Sequence, residues 1–412
     1  MIRRLLPLAA LAMIWFSAAA GVAVAVATDL AFQKFLQSLW PDAQRLGVTR
    51  TTFDAAIHGL EPDPTLPDLE VPGRPERPQP QQAEFVQTPA SYVREAMIAK
   101  LAEQGRALLQ AHRTTLEAIE RQFGVQPSVV LAIWGRETAY GGYRLPHDAI
   151  RVLATQAYLG RRKDMFRGEL LGALKMLQDG VPRERLRSSW GGAMGLTQFL
   201  PSEFYKYAVD FDGDGKVDIW TSIPDALASA AKQLHGKGWQ RGRRWAYEVR
   251  VPADIDCTIA QPGHVRPIGE WLRQGYAPAY GRKLKAHELK EEASLLLPEG
   301  NFGPAFLTPK NYYVIKDYNF SDLYVLFVGH LSDRMLDAPP FERPWSKNVQ
   351  LRTEQVETMQ RKLTERGLYN DKIDGKTGML TRAALGAYQK ANGLEIDCWP
   401  TEAVLTHMQR RR

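Results

Sequence analysis

Hydrophobic residues recur at helical spacing through most of this chain. Phe32, Phe35 and Leu36 share one stripe of a helix predicted within residues 29–61. The same periodicity predicts helices over 91–123, 148–180, 224–237 and 323–335, and another that starts at Pro127. Between residues 241 and 320 the pattern breaks into short runs, of which WAYEVRV and NYYVIKDYN are typical of strands. The chain is therefore predicted to be mainly α, with a smaller β portion.

Two proline-rich stretches divide the chain. Residues 62–89 contain eight prolines and have the composition of a linker. Residues 336–347, LDAPPFERPWSK, form a second boundary, and few contacts are expected to cross it. We therefore predict a main domain over 28–335, a linker over 336–347 and a separate small helical module over 348–412.

The N-terminal segment has the features of an export signal. Arg3 and Arg4 precede an apolar run, and Ala25-Val26-Ala27 supplies a cleavage pattern of small residues. Residues 1–27 are thus predicted to be a signal peptide. A retained membrane anchor is the alternative, because the apolar run approaches the length that spans a bilayer. This segment contains no cysteine, so we expect an exported protein that is not a lipoprotein.

Composition narrows the function classes. The 412 residues are 44% hydrophobic and 24% charged, with a net charge of +7, as in an ordinary multidomain globular protein. No Lys/Arg block with interleaved aromatics is present, so we predict no nucleic-acid partner. Two cysteines, Cys257 and Cys398, are too few for a disulfide-dense scaffold or a zinc site of four thiolates. They form either one bridge or two free thiols.

Glu137 is the first candidate for chemistry. It shares a helical face with Val130 and Trp134, and Gly141-Gly142 ends the helix directly afterwards. The negative helix end and an apolar surrounding both favour the protonated carboxyl, which a general acid needs at neutral pH. The alternative is a structural glutamate paired with Arg136 or Arg144.

A glycine-rich block, SSWGGAMGLTQFLPS, is the second candidate. Its glycines allow a backbone to approach a ligand closely, and Ser189 and Gln198 offer a hydroxyl and an amide for hydrogen bonds. The alternative is an ordinary glycine-rich turn.

The third candidate is the acidic loop DFDGDGKVD. Asp210, Asp212 and Asp214 occupy positions 1, 3 and 5 of a calcium-binding loop, with glycine at position 6. Lys216 falls at position 7, where the ligand is a backbone carbonyl. Position 12 is a threonine, and Asp225 is the nearest carboxylate able to replace the missing ligand. We therefore predict a structural calcium ion, against the alternative of a solvated acidic turn.

Taken in order, these motifs resemble the membrane-bound lytic murein transglycosylase B family. The matching pieces are GRETAYGG, YLGRR, SSWGGAMGLTQFLPSEFYKYAVDFDGDGKVDIW, LHGKGW and NYYVIKDYNFSDLY, with an echo of a further family piece in AEFVQTPASYV. The resemblance covers roughly residues 30–335. It implies a lysozyme-like α+β catalytic domain, and an ordered wrap over that domain for the first proline-rich stretch.

The resemblance also implies a reaction and its residues. Glu137 would be the lone catalytic acid/base, cleaving the MurNAc–GlcNAc bond of peptidoglycan with formation of a 1,6-anhydro product. A second carboxylate is not expected, since Glu169 and Glu203 stand in charged, exposed-looking surroundings. It further implies sugar contacts for Ser189, Gln198, Tyr318, Asn319 and Tyr324. It implies contacts to the peptide stem for Arg161 and Arg162.

The C-terminal module resembles the peptidoglycan-binding type 1 domain, a three-helix bundle. Its landmarks include Gly367-Leu368-Tyr369, Ile373-Asp374-Gly375 and Tyr388-Gln389. Together the resemblances imply a periplasmic, monomeric lytic transglycosylase that binds glycan strands and peptide stems, with cell-wall synthesis or division proteins as possible partners. A hydrolytic muramidase and a non-catalytic wall-binding scaffold are the alternatives.

Overall fold

Contacts between residues divide the chain into two compact units. The computed structural model describes residues 30–71, 87–349 and 351–410, so the predicted signal peptide lies outside the described residues. The first unit contains described residues 30–71 and 145–206, and the second contains 87–144 and 207–410. Within the described ranges, no helix combines the length and apolar character needed to cross a membrane.

The first unit is helical apart from one short strand pair. Residues 30–38 are helical. The other helices are Trp40–Arg45, Arg50–Ile57, Ala149–Leu159, Lys163–Gln178 and Pro201–Tyr207, the last of which ends at the unit boundary, and Arg183–Arg185 forms a 3-10 turn. Strand His147–Asp148 pairs antiparallel with Arg187–Ser188.

The first proline-rich stretch is ordered where it is described. Leu66 and Leu69 are buried in a small apolar cluster with Val152 and Leu159. The backbone N–H of Glu70 donates to the Leu159 carbonyl at 2.6 Å. The expected ordered wrap is thus confirmed for residues 62–71, and residues 72–86 lie outside the described part of the chain.

The second unit combines helices with a five-stranded antiparallel sheet. Its helices before the C-terminal module are Pro89–Tyr92, Glu95–Ala111, Arg113–Phe123, Pro127–Thr138, Ile223–Gly236, Ile268–Arg273, Ala286–Leu289, Lys310–Asn319 and Asp322–Met335, with 3-10 turns at Cys257–Ile259 and Ala279–Gly281. In spatial order the sheet strands are Val265–Pro267, Glu292–Leu296, Ala305–Thr308, Tyr247–Arg250 and Ala277–Pro278. A further strand spans Pro298–Asn301. The predicted α+β character is confirmed.

One predicted strand is wrong. NYYVIKDYN forms the helix Lys310–Asn319 rather than a strand. Its apolar residues are contiguous instead of alternating, so their period did not separate strand from helix. Asn311 and Ile315 are both buried, four residues apart, which is the helical spacing.

Three helices form the C-terminal module, as predicted. They span Thr353–Glu365, Met379–Ala391 and Glu402–Arg410. Val356, Met359, Leu363, Leu385 and Met408 are almost fully buried in the module's own core.

The expectation that few contacts cross the module boundary is wrong. Cys257 and Cys398 form a disulfide, which closes the alternative left open by the sequence. The Asn301 backbone N–H donates to the Asp397 carbonyl at 3.0 Å. The chain before the module is also held, because Phe341 stacks on His330 with ring centroids 3.9 Å apart. Proline content indicated a free boundary, yet this segment packs on the preceding domain.

Gly386 shows how tightly the module meets the disulfide. A Cβ at this position would lie 2.2 Å from Cys398 Sγ and 3.0 Å from Thr258 Cγ2. Cys257 and Cys398 are both 1% exposed and belong to the apolar cluster under the sheet, together with Trp271. The module therefore completes the core of the sheet region.

Replacing Cys257 and Cys398 with serine should destabilise the whole protein. The bridge joins residues 141 positions apart, so its loss frees a long loop in the unfolded chain, at a cost of roughly 2–5 kcal/mol. Urea unfolding of both proteins, with and without dithiothreitol, measures the effect. Dithiothreitol should lower the urea midpoint of the wild type only. Equal urea midpoints for the oxidised wild type and the variant would contradict a stabilising bridge.

Candidate active site

Glu137 lies at the exposed end of an otherwise buried helix. The helix Pro127–Thr138 buries every residue from Ser128 to Gly135, whereas Arg136 and Glu137 are only half-buried. A carboxylate that emerges from a buried helix is fixed in position by the core and still open to a ligand.

A sharp backbone reversal follows Glu137 directly. Ala139, Tyr140 and Gly141 all have positive φ, at 48°, 57° and 81°. Two consecutive residues with a side chain in this region are unusual, and such strain is concentrated at functional sites. The Tyr140 ring folds back under the helix, where its hydroxyl donates to the Leu101 carbonyl at 3.0 Å. A Cβ on Gly135 would lie only 2.6 Å from Tyr140 Cζ, so the close approach requires glycine.

Tyr324 is the partner of Glu137. Its hydroxyl donates to Glu137 Oε1 at 2.5 Å, and the side chain is 1% exposed. Burial raises the pKa of the Tyr324 phenol well above its usual value, and the negative charge of Glu137 raises it further. Tyr324 is therefore a permanent proton donor that orients the carboxyl group.

Arg136 is occupied by aromatic side chains. Its guanidinium donates to the Tyr92 hydroxyl at 2.9 Å and lies over the Tyr92 and Phe327 rings, 4.7 and 5.1 Å from their centroids. These contacts give Arg136 a structural role against Tyr92 and Phe327.

Tyr318 lies beside Tyr324, and Asn319 is the last residue of the same helix, Lys310–Asn319. The Tyr318 ring is parallel to that of Tyr324, with centroids 6.2 Å apart. Asn319 Oδ1 is buried and has no hydrogen-bond partner in the described ranges, which suits an atom that accepts from a ligand. Lys237 Nζ lies 5.9 Å from the Tyr318 ring centroid, a contact that sequence reasoning missed although LHGKGW had been singled out.

The first unit holds the glycine-rich block with Ser189 and Gln198. Ser189 Oγ accepts from the Ala193 N–H at 3.3 Å. Gln198 has a positive φ of 58°, and its amide donates to the Gly195 carbonyl at 3.0 Å. At Gly192 a Cβ would lie 2.3 Å from a Leu153 methyl group, so this loop position requires glycine. The block is a constrained loop that presents an amide and a hydroxyl.

Arg161 and Arg162 are also in the first unit and remain half-exposed. Both guanidinium groups face the Asp68 carboxylate, at 3.9 and 3.4 Å. Exposed pairs of this kind contribute little to stability.

Glu169 corrects one prediction from the sequence. It is 7% exposed rather than solvated, and its carboxylate accepts from the Ser202 N–H at 2.9 Å and the Ser202 hydroxyl at 2.7 Å. Its role is to satisfy the first N–H group of the helix Pro201–Tyr207, that of Ser202. Glu203 is half-buried and accepts from the Leu200 N–H at 3.2 Å.

The acidic loop brings three carboxylates together. One oxygen each from Asp210, Asp212 and Asp214 lies within 4.8 Å of the others, and all three residues are exposed. The loop glycines Gly213 and Gly215 have φ of 78° and 85°, which produces the tight turn. Converging hard oxygens suit calcium.

Asp225 is placed differently from its predicted partners. It is fully buried, and its oxygens accept from the backbone N–H groups of Phe211 at 2.8 Å and Asp218 at 2.8 Å. In this arrangement Asp225 fixes both ends of the loop against the helix Ile223–Gly236. The Lys216 N–H donates to Asp214 Oδ1 at 2.8 Å, so this residue takes part in the loop's internal hydrogen bonds.

Comparison with known families matches both parts of the chain. Residues 31–333 match the transglycosylase SLT domain, and residues 352–408 match a peptidoglycan binding domain. Membrane-bound lytic murein transglycosylase B of Escherichia coli (strain K12) is 31% identical over 234 residues. That match spans 56% of this chain and 62% of the relative, so the chain covers less than two thirds of its length.

Solved structures of two proteins are also similar. SltB3 from Pseudomonas aeruginosa, in complex with NAG-NAM-pentapeptide, is 38% identical with a TM-score of 0.81 over 92% of this chain and 99% of that one. The SltB3 complex with NAG-anhNAM-pentapeptide is 39% identical with a TM-score of 0.82, over 92% of this chain and 99% of that one. The Escherichia coli lytic transglycosylase Slt35 in complex with calcium is 27% identical with a TM-score of 0.51, over 62% of this chain and 80% of that one.

Gly135→Ala should destabilise the protein. Buried Tyr140 is fixed by its hydrogen bond and by an edge contact to Trp134, so it does not yield to the added methyl group, and overpacking costs about 1–3 kcal/mol. Gly168→Ala is the matched control, since a Cβ at this helical position would have nothing within 4 Å. This variant should raise the free energy of unfolding by up to about 1 kcal/mol, because alanine favours the helix. Urea unfolding measures both, and equal effects of the two variants would refute the packing argument.

Proposed function

Because the chain belongs to the transglycosylase SLT domain family, we propose that it is a lytic transglycosylase that cleaves peptidoglycan. The observation that carries this proposal is the hydrogen bond from Tyr324 to Glu137, with the unpartnered Asn319 oxygen on the adjoining helix. This arrangement combines a positioned carboxyl group with an acceptor for a saccharide. The SltB3 complex with NAG-NAM-pentapeptide supports the same substrate class.

In the proposed reaction Glu137 acts first as an acid and then as a base. It donates a proton to the glycosidic oxygen between MurNAc and GlcNAc, and the C1–O bond breaks. The carboxylate then takes the proton from the muramoyl C6 hydroxyl, whose oxygen bonds to C1 and closes a 1,6-anhydro ring. Tyr324 orients Oε1 throughout without exchanging its own proton, because its phenol stays protonated.

An internal nucleophile removes the need for a second carboxylate. Hydrolases that use two carboxylates need the second as a base or as a nucleophile. Glu169 is committed to Ser202, and Asp322 accepts from Tyr312 and Lys316 at 2.6 and 2.7 Å. A hydrolytic muramidase is therefore less well supported than a transglycosylase, and the SltB3 complex with an anhydro-muramoyl ligand adds to that preference.

Further side chains are proposed to hold the substrate. Ser189, Gln198, Tyr318 and Asn319 would contact the sugars through a hydroxyl, amides and an aromatic face. Arg161 and Arg162 would face the carboxylates of the peptide stem, since guanidinium groups bind carboxylates in a planar, two-pronged geometry.

The C-terminal module is proposed to bind the wall in the periplasm. A cavity of about 550 Å³ lies between the module and the preceding domain, and its lining includes lysines, aspartates and an aromatic ring: Lys316, Phe320, Asp322, Asp371, Lys372, Asp374 and Lys376. Charged groups of both signs beside an aromatic ring suit a saccharide that carries a charged peptide. We propose a signal peptide over 1–27, a catalytic domain over 28–335, a linking segment over 336–347 and the module over 348–412.

Glu137→Gln should abolish the release of anhydro-muropeptides. The amide keeps the shape of the side chain and still accepts from Tyr324, but it cannot donate the proton, and loss of a general acid costs ~10²–10⁴-fold. Mass spectrometry of muropeptides released from purified sacculi measures the product and separates anhydro sugars from hydrolysed ends.

Glu103→Gln serves as the control, because Glu103 is an exposed glutamate of the helix Glu95–Ala111. It should retain wild-type activity. More than a few per cent of activity in Glu137→Gln would assign the acid to another residue. Reducing ends without anhydro sugars would favour the muramidase, and inactive wild type would favour the scaffold.

We also propose that Asp210, Asp212 and Asp214 bind a structural calcium ion. Their exposed oxygens converge, and Slt35, which is similar in structure, was solved in complex with calcium. The Lys216 carbonyl and Asp225 are the further ligands proposed. The buried Asp225 would join only by releasing an N–H group of the loop.

Chelation should lower the melting temperature. A ligand that binds only the folded state raises the free energy of unfolding by about 2.7 kcal/mol when its concentration is a hundred times its Kd. Calorimetry with EGTA and with excess calcium should separate the wild-type curves, whereas Asp212→Asn/Asp214→Asn should show no response. Asp254→Asn, at an exposed position outside the cluster, should respond like the wild type. Identical wild-type curves in both conditions would rule the ion out.

A further inference from the structure

A buried carboxylate joins the C-terminal module to the segment that carries Tyr324. Asp322 is 9% exposed at its side chain, and its Oδ1 accepts from Tyr312 at 2.6 Å and from Lys316 at 2.7 Å. Its Oδ2 faces Arg382 Nη2 at 3.3 Å. Arg382 belongs to the module helix Met379–Ala391, and its side chain is 8% exposed. This ion pair is therefore buried and crosses the boundary between the two parts of the second unit.

The position of Asp322 connects the ion pair to the two helices that carry Tyr318, Asn319 and Tyr324. Lys316 lies on the helix that ends with Tyr318 and Asn319, and Asp322 lies in the first turn of the next helix, two residues before Tyr324. Between the two helices Phe320 has a φ of 60°, which is unusual for a bulky residue. The Asp322 carboxylate thus holds the end of one helix against the start of the next.

Each of the two oxygens has its own partners. Tyr312 and Lys316 both donate to Oδ1, so Arg382 is the partner seen at Oδ2. Burial by itself would raise the pKa of the Asp322 carboxyl, but the charges of Lys316 and Arg382 hold it below its usual range. Without Arg382 the Asp322 carboxylate keeps Lys316 at Oδ1 but loses the cation at Oδ2, and removing one partner of a buried pair is strongly destabilising locally.

We propose that Arg382 of the C-terminal module is a positioning residue for the active site, acting through Asp322 on Tyr324 and hence on Glu137. The inference rests on the proposed function. The Tyr324–Glu137 contact of 2.5 Å is short, so a small shift of the first turn of Asp322–Met335 lengthens it. The module then supplies part of the geometry of catalysis in addition to binding the wall.

Simple docking of the module is the competing role for Arg382, and the chain offers a matched control. Lys390 lies on the same helix and forms a second ion pair with Asp256 at 3.0 Å, but both side chains are exposed, at 62% and 41%. That pair touches neither Asp322 nor the Tyr324 helix. The Cys257–Cys398 disulfide keeps the module attached in either variant.

The test compares Arg382→Ala with Lys390→Ala in the full-length, oxidised protein. Steady-state kinetics on soluble GlcNAc–MurNAc oligosaccharides with peptide stems should show kcat reduced roughly 2- to 30-fold in Arg382→Ala, with KM little changed. Lys390→Ala should match the wild type. Arg382→Lys, or added methylguanidinium in Arg382→Ala, should restore part of kcat.

Hydrogen–deuterium exchange of residues 318–326 provides a readout that does not depend on activity. Protection should fall in Arg382→Ala and stay unchanged in Lys390→Ala. Wild-type kcat and protection in Arg382→Ala, or equal losses in both variants, would overturn the inference. Inactive wild type would refute the proposed function alone, and the exchange data would still decide the role of Arg382. If the alanine variant does not fold, Arg382→Gln replaces it.

Discussion

The hydrogen bond from Tyr324 to Glu137 requires two helix ends to be held within a fraction of an ångström. On one side the Glu137 helix stops abruptly, because Gly135 admits the Tyr140 ring beneath it and three residues in succession take positive φ. On the other side the Tyr324 helix begins at Ser321, whose hydroxyl accepts from the Leu323 N–H at 3.2 Å. Both constraints are local, and both are stabilised by buried groups. They position the carboxyl group in the way that the proposed general acid role requires.

Burial separates the acidic residues of this protein by role. Glu169, Asp225 and Asp322 are buried. Each accepts hydrogen bonds from N–H, hydroxyl or ammonium donors. Such groups stabilise the fold because the donors and the charge satisfy one another. The trio in the acidic loop is exposed and its oxygens converge, which is the basis of the proposed cation site. Glu137 is half-buried and accepts from the Tyr324 phenol, an intermediate environment that suits the acid and base role proposed for it.

Sequence reasoning reached most of this site because its motifs are local. The helix that carries Glu137, the glycine-rich block and the acidic loop each depend on neighbours within about a dozen residues, where spacing is informative. The pairing of Tyr324 with Glu137, 187 positions apart, depends on packing that no spacing encodes. Glu169 was misjudged for the same reason, since its partner Ser202 lies 33 positions away. Asp322 and Arg382 gave no signal at all, because an isolated Asp and Arg resemble any exposed pair until burial is known.

The docking of the module changes what a wall-binding domain contributes. A flexible tether raises the effective concentration of an enzyme near its substrate and leaves orientation free. Here a disulfide, a buried ion pair and a packed segment around Phe341 fix the module on the domain that carries Glu137. Under the proposed function, a glycan strand bound by the fixed module is presented in one direction, and this restricts which bond reaches Glu137. Every disaccharide of the polymer offers the same bond. The orientation of the bound strand therefore decides which bond lies at Glu137, whereas proximity alone does not distinguish among them.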